Sequence, residues 1–313
     1  MKNVLVMGVN GTFGGQMTHA LLSAEYKVNA FIRDPTKMPE EFNQIKTIQG
    51  DVQSIQSIRT ACENIDIIVY GVNPANYDWR EKVVPYLDNV VSVAEEKKLT
   101  LIFPGNVYTL NPADGPEFNE DSPHKPLTEK GRMRQAMENR LQLAAERGAK
   151  IIILRMGDFI APAAKSAWLP QLLKSTKQGY TLSSPGPTSL THSWAYVPDA
   201  ARVACQLLEK SEQLPDFNVF HFRGYQASIN DIAEEIQNTS GKTVRIKKFP
   251  WWFIKLAAPF FTLFRGLLEM SYLWKTEVNL SDKKLRQLLG NNYQVTDLRT
   301  ALIDSQLIVP LNK

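Results

Sequence analysis

Short apolar runs alternate with helix-like segments through the first half of this chain. Each run is rich in Val and Ile and has the length of a strand buried on both faces. The runs are Val4–Met7, Val28–Ile32, Ile45–Ile48, Ile65–Tyr70, Leu99–Phe103 and Ile151–Leu154. The segments with helical period and a polar face are Gly14–Ala24, Ser54–Glu63, Trp79–Lys98 and Lys130–Arg147. The alternation predicts right-handed crossovers and an α/β fold, in which helices cover both faces of a parallel sheet.

The rhythm changes after about residue 155, which indicates a second unit. Pro and Ser cluster at Thr181–Thr188, and aromatic residues are dense at Phe249–Trp274. Strand-then-helix character returns at Ala195–Glu209, where Pro198 and Asp199 open the helix. We therefore expect a first domain over residues 1–165, rejoined by about 193–223, and a smaller C-terminal lobe formed by 166–192 plus 224–313.

Composition excludes several function classes. The 313 residues are 43% hydrophobic and 22% charged, as in ordinary globular proteins. A net charge of +4, spread along the chain, is too weak to favour nucleic acid as a partner. Cys62 and Cys205 are the only cysteines, and no two of the four histidines are at metal-ligand spacing, so we expect no metal and a reducing, cytoplasmic location.

A glycine-rich turn joins the first predicted strand to the first predicted helix. Gly8, Gly11 and Gly14 are spaced so that the chain can turn tightly and its N–H groups can approach a phosphate. The N-terminus of the following helix attracts the same anion. The turn predicts a Rossmann-type, doubly wound sheet with a dinucleotide site. We therefore expect residues 1–165 to be the dinucleotide-binding domain and the smaller C-terminal lobe to be the substrate lobe.

The end of the second strand bears on which dinucleotide is bound. An acidic residue there would hold the ribose 2′-OH of NAD, whereas Arg33 offers a forked donor to the 2′-phosphate of NADP. Asp34 follows directly and keeps NAD open as the alternative. We favour NADP.

With these residues the chain resembles the extended short-chain dehydrogenase/reductase family, in its NAD(P)-dependent epimerase/dehydratase group. The resemblance also covers Gly50–Val52, Gly71–Asn73, Asn106–Tyr108 and His192–Asp199. The residues expected to hold the cofactor are Gly8, Asn10, Gly11, Thr12, Phe13, Gly14, Arg33, Asp51, Val52, Gly71 and Asn73.

The resemblance breaks at the catalytic positions. Family chemistry uses a Tyr-x-x-x-Lys pair on a helix and an upstream Ser or Thr, with the Tyr as acid/base. The corresponding residues here are Lys130, Arg134 and Pro104. The resemblance therefore implies the fold and the cofactor, and leaves the usual hydride transfer between ketone and alcohol in question.

Three interpretations of this substitution stay open. Lys130 could replace the Tyr as acid/base, with Arg134 hydrogen-bonding the ribose and Asn106 lining the nicotinamide end. The chain could instead be a non-catalytic NADP(H)-binding sensor or regulator. In the third, the solvated face of an amphipathic helix is formed by Lys130, Arg132, Arg134, Glu138 and Arg140. We favour an atypical oxidoreductase or epimerase/dehydratase-like enzyme acting on a small molecule, such as a nucleotide sugar or an apolar carbonyl compound.

The aromatic stretch Trp251–Trp274 has mixed helical spacing, and Lys255, Arg265 and Glu269 interrupt it. We favour packing inside the small lobe; the alternatives are a wall of an apolar substrate pocket, or contact with a membrane or partner subunit. By analogy with similar folds, a homodimer would pair through Trp79–Lys98 and Lys130–Arg147.

Overall fold

A computed structural model describes residues 1–164 and 167–311. The strands are β1 Asn3–Met7, β2 Lys27–Ile32, β3 Lys46–Gln49, β4 Ile67–Tyr70, β5 Thr100–Gly105, β6 Glu117–Phe118, β7 Lys150–Arg155, β8 Asp158–Ile160, β9 Leu173–Thr176, β10 Gly179–Ser184, β11 His192–Tyr196, β12 Phe217–His221, β13 Tyr225–Ala227, β14 Thr243–Lys248 and β15 Asn279–Leu280. The α-helices are α1 Thr12–Ser23, α2 Ile55–Ala61, α3 Val83–Lys97, α4 Glu129–Glu146, α5 Trp168–Leu172, α6 Val197–Glu209, α7 Ile229–Ser240, α8 Trp251–Ala257, α9 Thr262–Glu269, α10 Lys283–Leu289 and α11 Leu298–Asp304. Within these ranges, no helix combines the length and the apolar character that crossing a membrane requires.

Seven parallel strands form the central sheet, in the order β12-β7-β5-β4-β1-β2-β3. The chain builds outward from β1 to β3 and then returns to the other side of β1 to add β4. This reversal opens a crevice between the carboxyl ends of β1 and β4, which is where such sheets bind ligands. The predicted α/β fold with a doubly wound parallel sheet is confirmed.

The central strands are buried on both faces because helices cover both sides of the sheet. In β1, Val4 and Val6 point to the core shared with α1 and α6. Leu5 and Met7 point to the opposite core, shared with α2, α3 and α4. Successive side chains of a strand point to opposite faces, so a strand with helices on both sides is apolar throughout.

The C-terminal part adds smaller sheets beside the central one. They are ordered β14-β10-β9, β13-β11-β8 and β15-β6. Of the late strands, β12 joins the central sheet, whereas β11 pairs with β8 and β13. The predicted domain boundary at residues 165–166 lies outside the described residues, as does the predicted end of the lobe at 312–313, and the division into two units stays a prediction.

The aromatic stretch is only partly packed. Ile254 is 5% exposed, and Trp251 packs against a buried cluster that includes Trp194 and Ile232. Trp252 and Phe260, in contrast, are 71% and 80% exposed. Phe253, Leu256 and Phe261 are also exposed. The expectation that the stretch packs inside the lobe is therefore wrong for these five side chains, because one side of α8 and the turn between α8 and α9 are left uncovered.

Candidate functional site

Two positions of the turn after β1 require glycine. Gly8 has φ +83°, and a Cβ there would lie 2.4 Å from the Gly71 carbonyl oxygen. A Cβ on Gly14 would lie 2.2 Å from the Gly8 carbonyl oxygen, because α1 starts directly against the end of β1. The Gly11 N–H donates to Gly8 O over 2.9 Å and closes the turn.

The N-terminus of α1 fits an anion. Gly11 is its N-cap, with an extended backbone and no side-chain capping hydrogen bond. The first hydrogen bond of the helix is donated by the Gly15 N–H to the Gly11 carbonyl oxygen over 2.8 Å. The N–H groups of Thr12 and Phe13 precede it and are the donors that a helix leaves for a ligand, reinforced by the helix dipole.

A cavity of about 670 Å³ opens at the crevice beside this turn. Six of the predicted cofactor residues line it: Gly8, Asn10, Arg33, Asp51, Val52 and Asn73. The glycine turn, the end of β2, the turn after β3 and the loop after β4 thus meet at one cavity, as the carboxyl ends of neighbouring parallel strands must.

The remaining predicted cofactor residues are not among those that line the cavity. Gly11, Thr12, Gly14 and Gly71 belong to the turn and its close contacts. Phe13 is 5% exposed and its ring is in the core between the sheet and α1. A contact of Phe13 with the cofactor could therefore involve only its backbone N–H.

Arg33 and Asp34 have different surroundings. Arg33 is exposed and lines the cavity. The Asp34 carboxylate accepts hydrogen bonds from Thr36 Oγ1 at 2.6 Å and from Thr36 N at 3.1 Å, and it lies 3.6 Å from Lys37 Nζ. The Thr36 side chain and backbone hold the pKa of Asp34 below its ordinary value. Asp34 therefore caps a short turn, and Arg33 alone of the two faces the cavity.

The turn after β3 shapes a further wall. Asp51 accepts from Gln53 N over 3.0 Å and its own N–H donates to Ser57 Oγ over 3.2 Å. A Cβ on Gly50 would lie 2.2 Å from the Phe31 ring. The backbone at Gly50 is therefore pressed against β2, which leaves Asp51 and Val52 at the cavity.

Lys130 lies in the first turn of α4 and is 9% exposed. Its Nζ donates to Glu269 Oε2 over 2.6 Å, and its backbone N donates to Glu269 Oε1 over 2.7 Å. Glu138, on the same helix, is 3% exposed. The interpretation of these two residues as a solvated helix face is wrong, because α9 supplies a carboxylate that allows the Lys130 ammonium to be buried.

Arg134 lies one turn further along α4, between two aromatic rings. Its Cζ is 4.9 Å from the centre of the Trp79 ring and 5.4 Å from that of Phe103. Nη1 donates to Pro104 O over 3.3 Å. Burial lowers the pKa of the guanidinium, and among the described residues its buried Nε has no hydrogen-bond partner. Arg134 is thus held against the end of β5.

A second buried cation, Arg155 at the end of β7, fixes the loop that carries Asn106. The Arg155 Nη1 donates to Asn106 O and, over 2.9 Å, to Thr109 Oγ1. Nη2 donates to Glu138 Oε2 over 2.7 Å and lies 3.2 Å from His124 Nε2. The Asn106 side chain accepts from Tyr108 N and so caps the same loop. The predicted catalytic residues Asn106, Lys130 and Arg134 are not among those that line the cavity beside the glycine turn.

His221 completes the shell around Arg155. Its Nε2 lies 3.1 Å from Arg155 Nε and accepts from it, while its Nδ1 lies 3.2 Å from Phe118 O. This pattern fits the neutral ring with the proton on Nδ1. Burial, reinforced by the charge of Arg155, lowers the pKa of His221 to about 3.

Comparison with known proteins defines the family. The model of the NAD dependent epimerase/dehydratase family matches residues 4–220. The chain belongs to this family. The match contains the glycine turn, Arg33 and α4, and family membership makes a nicotinamide dinucleotide the cofactor class of the site.

Solved epimerase structures share this fold. A provisionally assigned epimerase from Burkholderia cenocepacia J2315 is 17% identical, with a TM-score of 0.77 over 98% of this chain and 97% of that one. The UDP-glucuronic acid 4-epimerase from Bacillus cereus, in complex with NAD, is 19% identical, with a TM-score of 0.72 over 97% of each chain. A nucleoside-diphosphate-sugar epimerase from Staphylococcus aureus is 16% identical, with a TM-score of 0.68 over 97% of this chain and all of that one. No curated protein matches.

Sequence reasoning missed the contribution of α9, which lies beyond the part matched by the family model. Thr262 at its start lines the cavity, and Glu269 at its end pairs with Lys130. Lys82 and Tyr86 of the segment entering and forming α3 also line the cavity. A pairing between residues 139 apart leaves no local pattern, so only the tertiary structure could reveal it.

Proposed function

We propose that the chain uses NADP(H) as its cofactor, in an atypical oxidoreductase or epimerase-like reaction on a small molecule. The observation that carries the choice of NADP is the difference between Arg33, which lines the cavity, and Asp34, which caps a turn. A guanidinium presents paired donors that match phosphate oxygens. Asp34, held by Thr36, is not positioned as a free acceptor for a ribose hydroxyl.

The test is thermal unfolding with NADPH, NADP⁺, NADH and NAD⁺ in separate samples. A ligand at about 100 times its Kd stabilises the fold by about 2.7 kcal/mol. The phosphorylated pair should give the larger shift. Arg33→Ala should weaken NADPH binding by roughly 10- to 100-fold, since a hydrogen bond to a charged group is worth about 1.5–3 kcal/mol. It should leave the binding of NADH unchanged.

Lys37→Ala is the matched control. Lys37 is also an exposed cation after β2, but it does not line the cavity. Equal loss of NADPH affinity in Lys37→Ala and Arg33→Ala would mean that general surface charge, and not a 2′-phosphate site, is responsible. Equal shifts with NADH and NADPH in the unmodified chain would refute the preference for NADP.

For the reaction, we assign the acid to Lys130. A nicotinamide, when bound, donates or accepts a hydride at a carbon of the substrate. As the acid, Lys130 Nζ, which donates to Glu269 Oε2 over 2.6 Å, would give a proton to a substrate oxygen and leave a neutral amine. Arg134 lies one turn further along α4, and its guanidinium contacts the end of β5, directly before the loop that carries Asn106.

Lys130→Met should abolish turnover of carbonyl or nucleotide-sugar substrates and leave NADPH affinity within about twofold, since an acid/base group contributes roughly 10²–10⁴-fold to rate. Arg132→Met is the control, because Arg132 is exposed on the same turn. Retained turnover in Lys130→Met would remove the residue from the mechanism. Loss of NADPH binding would instead indicate a collapsed site.

A non-catalytic NADP(H) sensor is the second candidate, and one observation favours it. The Arg134 guanidinium is enclosed by Trp79, Phe103 and the Pro104 carbonyl, a packing role that needs no substrate. If NADPH binds as proposed but no substrate of the two classes is turned over, the sensor is the better account.

A further inference from the structure

The expectation that the net positive charge is spread along the chain is wrong, because the charge is concentrated in one segment. Residues 242–268 contain six basic side chains and no acidic one. The basic residues are Lys242, Arg245, Lys247, Lys248, Lys255 and Arg265. The other 286 residues hold 30 basic against 32 acidic side chains, so the net charge of +4 arises entirely within this segment.

Seven of the 14 large apolar side chains that are exposed among the described residues lie in the same segment. Residues 251–269, comprising α8, the connecting turn and α9, form what we call the aromatic hairpin. Trp252, Leu256 and Phe260 are 71%, 69% and 80% exposed. Phe253 and Phe261 are 47% and 56% exposed. A contiguous apolar patch of this kind, rimmed by charge, is typical of an interaction surface.

The aromatic hairpin is held by internal contacts. Phe264 lies 6.0 Å from Phe253 and 5.5 Å from Phe261 between ring centres. Arg265 donates to Pro259 O over 3.2 Å and to Thr262 Oγ1 over 2.9 Å, which ties the turn to α9. The rings are therefore presented on a folded support, and little ordering is required when they bind.

The cationic part is β14, which leads directly into α8. It is the edge strand of the β14-β10-β9 sheet, and Arg245, Lys247 and Lys248 on it are exposed. Lys255 is exposed on α8 itself. Exposed basic side chains and exposed apolar rings thus follow one another directly along the chain, and this combination is the composition of segments that lie in a membrane interface.

We propose that the aromatic hairpin and β14 bind the surface of an anionic lipid bilayer, with the rings at the acyl boundary and the basic side chains at the headgroups. Trp and Phe are suited to the interface because they combine large apolar area with, for Trp, a polar edge. Each Lys or Arg near such a surface is attracted by its negative potential.

Charge decides against a second copy of this chain as the occupant. A two-fold interface places the same patch on both partners. The aromatic hairpin and β14 of one copy would then bring five basic side chains against five, and the single acidic residue in these ranges, Glu269, is already paired with Lys130. An anionic lipid surface supplies the missing negative charge.

The experiment is co-sedimentation of the full chain with vesicles of phosphatidylcholine, with and without phosphatidylserine. Binding should require phosphatidylserine and fall as KCl rises from 0.1 to 1 M, because the screening length shortens from about 10 to about 3 Å. Trp252→Ser with Phe260→Ser should weaken binding at least tenfold, and so should Lys247→Gln with Lys248→Gln.

Matched controls separate this surface from general stickiness. Leu143→Ser changes an apolar side chain that is 45% exposed on α4, and Lys27→Gln with Lys46→Gln removes two exposed charges from the start of β2 and β3. Both should bind vesicles like the unmodified chain. Absence of binding, or equal loss in the controls, would overturn the proposal. So would a lipid-free change from dimer to monomer in the Trp252/Phe260 variant, since it would identify the hairpin as a self-association surface.

Discussion

Neutralising Glu138 tests whether the buried charges behind the site are held by mutual pairing. Glu138 is 3% exposed and Arg155 is 1% exposed, and their closest atoms are 2.7 Å apart. Removing one partner of such a pair leaves an uncompensated charge in the interior, which costs about 3–5 kcal/mol. Glu138→Gln should therefore lower the free energy of unfolding by that amount.

The expected shift in Tm follows from chain length. Unfolding entropy near 60 °C is about 2.1 cal/mol/K per residue, so for 313 residues a loss of 3–5 kcal/mol lowers Tm by about 5–8 °C. The assay is thermal unfolding followed by circular dichroism, with urea unfolding as the second measure. Glu146→Gln is the control, because Glu146 is exposed on the same helix, and it should change Tm little.

A double variant distinguishes pairing from packing. Replacing Glu138 and Arg155 together by Met removes both charges. The double variant should therefore lose less stability than the sum of the losses in Glu138→Met and Arg155→Met. The reasoning is refuted if Glu138→Gln unfolds within about 1 kcal/mol of the unmodified chain, or if the single losses are simply additive.

Two further perturbations can be measured with the same assays. Gly14→Ala should weaken NADPH binding at least tenfold and lower Tm, because its Cβ would lie 2.2 Å from a backbone oxygen. In the control Gly15→Ala the nearest oxygen is 3.2 Å away, so NADPH affinity and Tm should stay unchanged. Equal effects of the two substitutions would contradict the argument from close approach. Between pH 6 and 5 the free energy of unfolding should fall by roughly 1 kcal/mol. Burial lowers the pKa of His221 to about 3 and that of His192 to about 4, so the unfolded chain binds those two protons first, while burial raises the pKa of Asp158 to about 7 and lets the folded chain bind one. Asp158→Asn should roughly double the fall, and an unchanged slope in urea unfolding at the two pH values would contradict this assignment.

Local patterns were sufficient for the frame of the molecule. The runs at Val4–Met7 and Ile151–Leu154 became central strands because a strand covered on both faces must be apolar at every position. Gly8 and Gly14 marked the turn because only a residue without a Cβ allows those backbones to meet. The position of Arg33 directly after β2 could also be located from the sequence alone.

The tertiary structure decided which charges are buried and which rings are exposed. The sequence allowed Lys130 to be part of a solvated, charged helix face. It is buried instead, because it pairs with Glu269, a residue 139 positions away in the chain. The sequence predicted that the aromatic hairpin packs in the core. Trp252 on α8 and Phe260 in the turn before α9 are nevertheless exposed, because no other part of the described chain covers them. The periodicity of apolar residues along the sequence indicates which side chains are compatible with burial and which with solvent. Whether a counter-charge or a covering surface is present depends on distant parts of the chain, and a sequence pattern contains no record of that proximity.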